Sequence, residues 1–182
     1  MLATFLICAC VAFFPKMYWF TFDGSAYELN GTIDFLGHDV DVYLTPESDN
    51  KWPTLRQRQL VSKMESLAPS FWSKIQDVAV ENLHTLEGEI GDMTDEYGLP
   101  EINRENIDDF FAVDWIWIPK QMDSKDDYVG LGFSSDWASN SGMYMLLKNG
   151  KIIWHGWSFQ QWSSQSGREQ MNSSHSYGTK LE

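Results

Sequence analysis

Apolar and polar residues alternate with a period of two in several short runs of this chain, and recur at helical spacing in two longer ones. The most regular stretch is Tyr128 to Gly156. Tyr128 to Phe133 reads as a strand made permissive by Gly130 and Gly132, and a polar loop from Ser134 to Ser141 follows. Met143 to Leu147 and Ile152 to Trp154 then flank Lys148-Asn149-Gly150-Lys151. Asn-Gly supplies the two positive-φ residues of a type I′ turn, so this segment predicts a hairpin closing a meander. Upstream, Tyr18 to Phe22 ends at Asp23-Gly24 and predicts a first strand. Gly31 to Phe35 and Val40 to Leu44 flank Gly37-His38-Asp39 and predict an N-terminal hairpin, with Ile33, Phe35, Val40 and Val42 on its buried face. Val113 to Ile118 predicts a further strand carrying Trp115 and Trp117 on one face.

The helical runs lie between these sheet segments. Thr54 caps the first, where Leu60, Val61, Met64 and Leu67 recur at helical spacing and Arg56, Arg58 and Lys63 form a basic polar face. Pro69-Ser70 opens the second, with Phe71, Ile75, Val78, Ala79, Leu83 and Leu86 as its stripe and Gly88 and Gly91 as its breakers. Asn103 or Asn106 caps a short helix through Phe111. The implied fold class is α+β: an antiparallel sheet of about six to seven strands, with an N-terminal hairpin and a C-terminal meander, packed against two main helices. The domain is expected over residues 17–157, after an apolar extension at 1–16 and before a flexible polar tail at 158–182. The extension is read as lying upstream of the true start at Met17, which implies a cytoplasmic protein. A degenerate export signal is the alternative, and 14 apolar residues are too few to span a bilayer, which takes about 20.

Composition narrows the function. With 43% hydrophobic residues and nine Trp in 182, the chain can bury a core of its own. Both cysteines, Cys8 and Cys10, precede the domain, which excludes a disulfide framework and a thiolate metal site from it. The net charge of -13 is concentrated: Asp77 to Asp127 holds 15 of the 26 acidic residues against Arg104, Lys120 and Lys125. Such a field repels phosphate backbones and attracts basic proteins, so nucleic acid is excluded as a partner and a basic protein favoured.

The sequences HExxH, GxxxxGK[ST], GxGxxG and GxSxG do not occur, and the four histidines form no ligand pattern: His38 sits at a turn, His84 on a helix flank, His155 at a strand end and His175 in the tail. Asp92, Asp95 and Glu96, or Asp123, Asp126 and Asp127, could offer oxygens to a hard cation. Neither group has the glycine and ligand spacing of an EF-hand, so no metal or cofactor is assigned.

The residues GLGFSSDWASNSGMYMLLKNGKIIWHG resemble the closing part of a bacterial family of uncharacterised domains. In that family a glycine-containing strand, a polar loop with Trp and a Gly-Lys hairpin follow two helices and an N-terminal hairpin. The resemblance covers Tyr18 to Gly156. Members are frequently encoded near contact-dependent or polymorphic toxins, which implies an immunity role for some of them. This chain departs from the pattern where the family's loop often carries an acidic residue and a histidine before its glycine, because Asn140-Ser141 stand there before Gly142. No role attached to that pair is carried over.

The expectation is therefore a non-enzymatic acidic binding protein, immunity-like, that masks a basic partner such as a toxin. The partner-binding residues are Glu89, Asp92, Asp95, Glu96, Glu101, Asp108 and Asp109, in and around the least regular acidic stretch. The alternatives are an enzyme using carboxylates of the 134–141 loop, with Asp136 and Trp137 as its site, or an envelope-associated structural domain dependent on residues 1–16.

Overall fold

The computed structural model of this chain describes residues 18–46, 52–90, 98, 100–119, 126–136, 142–156 and 178–180. Four strands come first: β1 (Phe20–Phe22), β2 (Tyr27–Leu29), β3 (Ile33–Phe35) and β4 (His38–Leu44). Two helices follow, α1 (Leu55–Glu65) and α2 (Ser70–Ile90), and a single 3-10 turn (Ile107–Asp109) leads back to the sheet. The second half contributes β5 (Phe111–Ile118), β6 (Tyr128–Ser135), β7 (Met143–Lys148), β8 (Lys151–Gly156) and β9 (Gly178–Lys180). Among the described residues the sheet runs through eight strands in the order β1-β2-β4-β5-β6-β7-β8-β9, with β3 pairing β4 beside this path.

The α+β class and the two main helices stand, while the expectation of a wholly antiparallel sheet of six to seven strands is corrected. β4 and β5 run parallel, in register from Asp41↔Trp115 to Leu44↔Ile118. Both helices lie in the connection between them, and a crossover of that kind is what returns a chain to the sheet in the same direction. The extra strands are β2 and β9, each three residues long.

The two hairpins show how local sequence sets register. Asn149 (φ 51°) and Gly150 (φ 76°) both occupy the left-handed region, so Lys148 pairs Lys151 across a two-residue turn. In the first hairpin the turn residues are Leu36 (φ 59°) and Gly37 (φ 94°), and Phe35 pairs His38. His38 therefore opens β4 rather than standing in the turn. It is half-buried, with its ring 4.4 Å from that of Trp72 on α2.

α1 begins at a complete capping box: the Thr54 side chain accepts from the Gln57 backbone, and the Gln57 side chain accepts from the Thr54 N–H at 3.0 Å. Gln57 is itself buried, and its Nε2 donates to the Thr45 carbonyl at 2.7 Å, fixing the helix start against the end of β4. α2 buries Phe71, Ile75, Val78, Ala79 and Leu83, as its stripe predicts, and it continues through Gly88 to Ile90. A glycine inside a helix costs about 1 kcal/mol relative to alanine, too little to end one alone.

Both helices cover one face of the sheet. Val40, Val42 and Leu44 of β4, Ile116 and Ile118 of β5, Leu131 and Phe133 of β6, and Met143 and Met145 of β7 point to that side and form the main core. A second cluster occupies the opposite face, where Leu146 and Trp154 are buried and Trp115, Trp117, Tyr128 and Tyr144 pack around them.

One polar knot ties α1 to the far strands. Arg56 donates from Nε and Nη2 to Asp127 Oδ1 at 3.1 and 3.0 Å, and Lys63 reaches Asp127 Oδ2 at 3.2 Å. Asp126 pairs with Lys148 at 2.8 Å and accepts from Asn149 Nδ2 at 2.8 Å; these two contacts hold its carboxyl below the usual carboxylate range. Two of the three carboxylates weighed for a cation at 123–127 are thus already neutralised by side-chain cations, and Asp123 lies outside the described residues. Asp127→Asn is expected to cost roughly 1 kcal/mol in urea denaturation, less at high salt because the group is partly exposed. An unchanged midpoint at low salt would show that the knot contributes nothing.

An acidic depression as candidate partner site

The candidate site forms where β5 begins and β6 ends. Ile107 of the 3-10 turn is buried in the core and anchors the turn, which leaves Asp108 and Asp109 exposed on its outer side. Phe111 stacks on Phe133 with ring centroids 4.5 Å apart and planes 14° from parallel, clamping the first residue of β5 to β6. Register then sets Phe111 opposite Ser135 and Ala112 opposite Ser134. One residue further on, the Asp136 N–H donates to the Phe110 carbonyl at 3.0 Å. Carboxylates distant in sequence are drawn together by this pairing. Asp108, Asp109 and Asp136 line one depression of about 160 Å³ with Phe110, Phe111, Ala112, Ser134 and Ser135.

The three carboxylates differ in their ties. Asp108 Oδ1 accepts from Trp72 Nε1 at 3.2 Å, and both its oxygens accept from Gln76 Nε2, at 3.0 and 2.9 Å, so α2 holds this side chain in place. Asp109 and Asp136 are exposed at the rim. Ser134 Oγ donates to Asp114 Oδ1 at 3.0 Å, and the buried Ser135 Oγ has no hydrogen-bond partner among the described residues. The depression is therefore a negatively charged concavity in which Asp108 is held in place, able to accept hydrogen bonds from a cationic group.

The sequence-predicted residues divide three ways. Asp108 and Asp109, expected to bind a partner, and Asp136, assigned to an alternative loop site, meet in one depression. Glu101 is exposed in the connector leading to it, where its carbonyl accepts from Asn106 Nδ2 at 3.0 Å, and Arg104 of the same connector pairs with Asp77 of α2 at 2.9 Å. Glu89 falls in the last turn of α2 with its side chain outside the description, and Asp92, Asp95, Glu96 and Trp137 lie outside the described residues. Sequence reasoning missed Ser134 and Ser135, placed in the polar loop although they extend β6, and it missed Trp72 and Gln76 as the groups that hold Asp108. Two polar residues in succession end the apolar alternation at Phe133, so the sequence carried no strand signal for the serines. Nothing in the sequence pairs Asp108 with α2.

Among the described residues no group of three or more His, Cys, Asp or Glu is arranged to hold a metal ion, and no helix is long and apolar enough to cross a membrane. His84 is exposed on the flank of α2, as expected, and His155 is buried near the end of β8 and is not among the residues that line the depression.

The fold and the depression define an α+β domain with a mixed sheet, helices on one face, and an acidic concavity at the junction of two central strands. The chain belongs to a family described as a domain of unknown function, DUF6985, whose model matches residues 16–158. No curated protein and no solved structure matches it.

Proposed function

We propose that this protein is a non-enzymatic acidic binding protein, immunity-like, that neutralises a basic protein such as a toxin by seating a cationic side chain in the depression between Asp108, Asp109 and Asp136. The observation that carries this reading is the convergence of those three carboxylates on one concavity of about 160 Å³, a space suited to the head of a lysine or arginine. The charge distribution supports it, since Asp108 and Asp109 belong to the acidic stretch from Asp77 to Asp127, which carries most of the net charge.

The partner to assay is the basic product of a gene adjacent to this one. Reversing Asp109 and Asp136 to lysine, with Asp108 kept because α2 depends on it, is expected to weaken binding about 100-fold and to flatten its dependence on salt. If affinity and salt dependence are both unchanged, the depression is not the site. The depression also favours a second reading, an enzyme using Asp136, because it supplies the concave site such a role needs. Turnover lost in Asp136→Asn with partner binding retained would select that reading.

A further inference from the structure

On the sheet face opposite the helices, four aromatic rings touch in a line. Tyr43 of β4 stacks on Trp117 of β5 at 6.0 Å between centroids; Trp117 meets Trp115 edge-on at 6.4 Å, and Trp115 meets Tyr144 of β7 at 5.8 Å. The line can pass over β6 because Gly132 brings no side chain there, and the Trp115 indole lies against its backbone. All four rings are half-buried.

Exposed carboxylates stand at both ends of this line. Asp41 lies two residues before Tyr43 on the same face of β4, and Glu28 of β2 is the cross-strand partner of Tyr43. At the other end a bulge in β5 between Val113 and Trp115 carries Asp114, whose carboxylate accepts from Ser134. The phenols register this proximity. Burial raises both above their ordinary range, with Asp41 and Glu28 adding to the rise at Tyr43 and Asp114 at Tyr144.

The same face already holds one internal cation in this manner. Lys148 Nζ sits 5.8 Å from the centre of the Tyr128 ring while it pairs with Asp126 at 2.8 Å. A cation over a ring, with a carboxylate beside it, is thus an arrangement this surface builds for itself. We propose that the Tyr43–Trp117–Trp115–Tyr144 line, flanked by Asp41, Glu28 and Asp114, is a second docking surface that takes arginine side chains of the basic partner. A planar guanidinium stacks on indole and phenol faces and forks onto a carboxylate, a combination that the compact, strongly hydrated lysine ammonium matches less well. A purely apolar partner has no use for the flanking carboxylates, and an anionic one is repelled by them. This inference rests on the basic-partner reading and assigns that partner a chemistry which the acidic depression alone does not specify.

The test measures binding of nona-arginine and nona-lysine to the full chain by calorimetry and tryptophan fluorescence at moderate salt. Nona-arginine is expected to bind about fivefold or more tightly than nona-lysine, with a change in tryptophan emission. Asp41→Asn with Asp114→Asn, both at exposed positions that leave the core intact, is expected to weaken nona-arginine about tenfold. Trp117→Leu is expected to erase the preference for arginine, its fold being checked by circular dichroism. Equal affinity for the two peptides, or an Asp41/Asp114 variant within about twofold of the parent, overturns the proposal. If binding then survives that variant but is lost on reversing Asp109 and Asp136, the basic-partner reading stands and this surface has no part in it. If neither peptide binds, both fall.

Discussion

Replacing Gly132 with alanine is expected to destabilise the domain by about 2–3 kcal/mol in urea denaturation, and replacing it with valine by more. A Cβ at this position would lie 2.2 Å from Cε2 and 2.3 Å from Cζ2 of Trp115, well inside van der Waals contact. The indole has little room to withdraw, because Trp117 and Tyr144 contact it. Backbone freedom is not the issue here, since Gly132 lies in the strand with no positive φ. The cause is therefore separable by a double-mutant cycle: Trp115→Ala removes the obstructing ring, and Gly132→Ala should cost about 1–2 kcal/mol less in that background. A Gly132→Ala protein that melts with the parent would mean that the indole is not seated on β6.

The second large effect is expected at the junction of α2 and β8. Asn82 and His155 are both buried, and the Asn82 amide donates from Nδ2 to His155 Nδ1 at 3.0 Å. In this amide orientation Nδ1 is an acceptor, so the ring proton sits on Nε2. Among the described residues neither His155 Nε2 nor Asn82 Oδ1 has a partner. Asn82→Ala removes the one bond the imidazole makes and is expected to cost about 2–3 kcal/mol in the same measurement. The pair also makes stability depend on pH. Burial pushes the His155 pKa below its ordinary 6.5, with Glu81 opposing the shift, so the unfolded chain takes up a proton that the folded chain excludes. Stability is therefore fully present above about pH 6.5 and falls as the pH drops from there toward the lower folded value. His155→Gln should remove that slope while leaving the acid titration of the carboxylates in place. A parent protein equally stable at pH 5 and pH 7 would contradict this account.

Local features of the fold were the legible ones. The Asn149-Gly150 turn, the cap at Thr54 and the stripe from Phe71 to Leu83 each depend on residues a few positions apart, and the structure holds all three. The direction of the β4–β5 pair was not legible. Alternation in Val40 to Leu44 and in Val113 to Ile118 states which face is buried and is silent on whether the neighbour runs up or down. The first hairpin shows a finer failure: Leu36 takes a positive φ that its side chain disfavours, so the sequence directed attention to Gly37 and beyond. For the candidate depression, the acid-rich composition drew notice to Asp108 and Asp109, and loop position to Asp136, but as two unrelated suggestions. Their union depends on the Phe111↔Ser135 register, which is a long-range property.

The parallel pairing of β4 with β5 also has a consequence for how the chain folds. The connections from β5 to β8 are short, so that meander can form from near neighbours in sequence. The join at Asp41↔Trp115 instead closes a loop containing both helices. Closing that loop costs more entropy than closing the shorter connections of the meander, so this pairing is expected to form after the β5–β8 hairpins. Because α1 and α2 fill that loop and pack on the sheet, weakening their packing is expected to slow the union of the two halves of the domain as well as to destabilise the core.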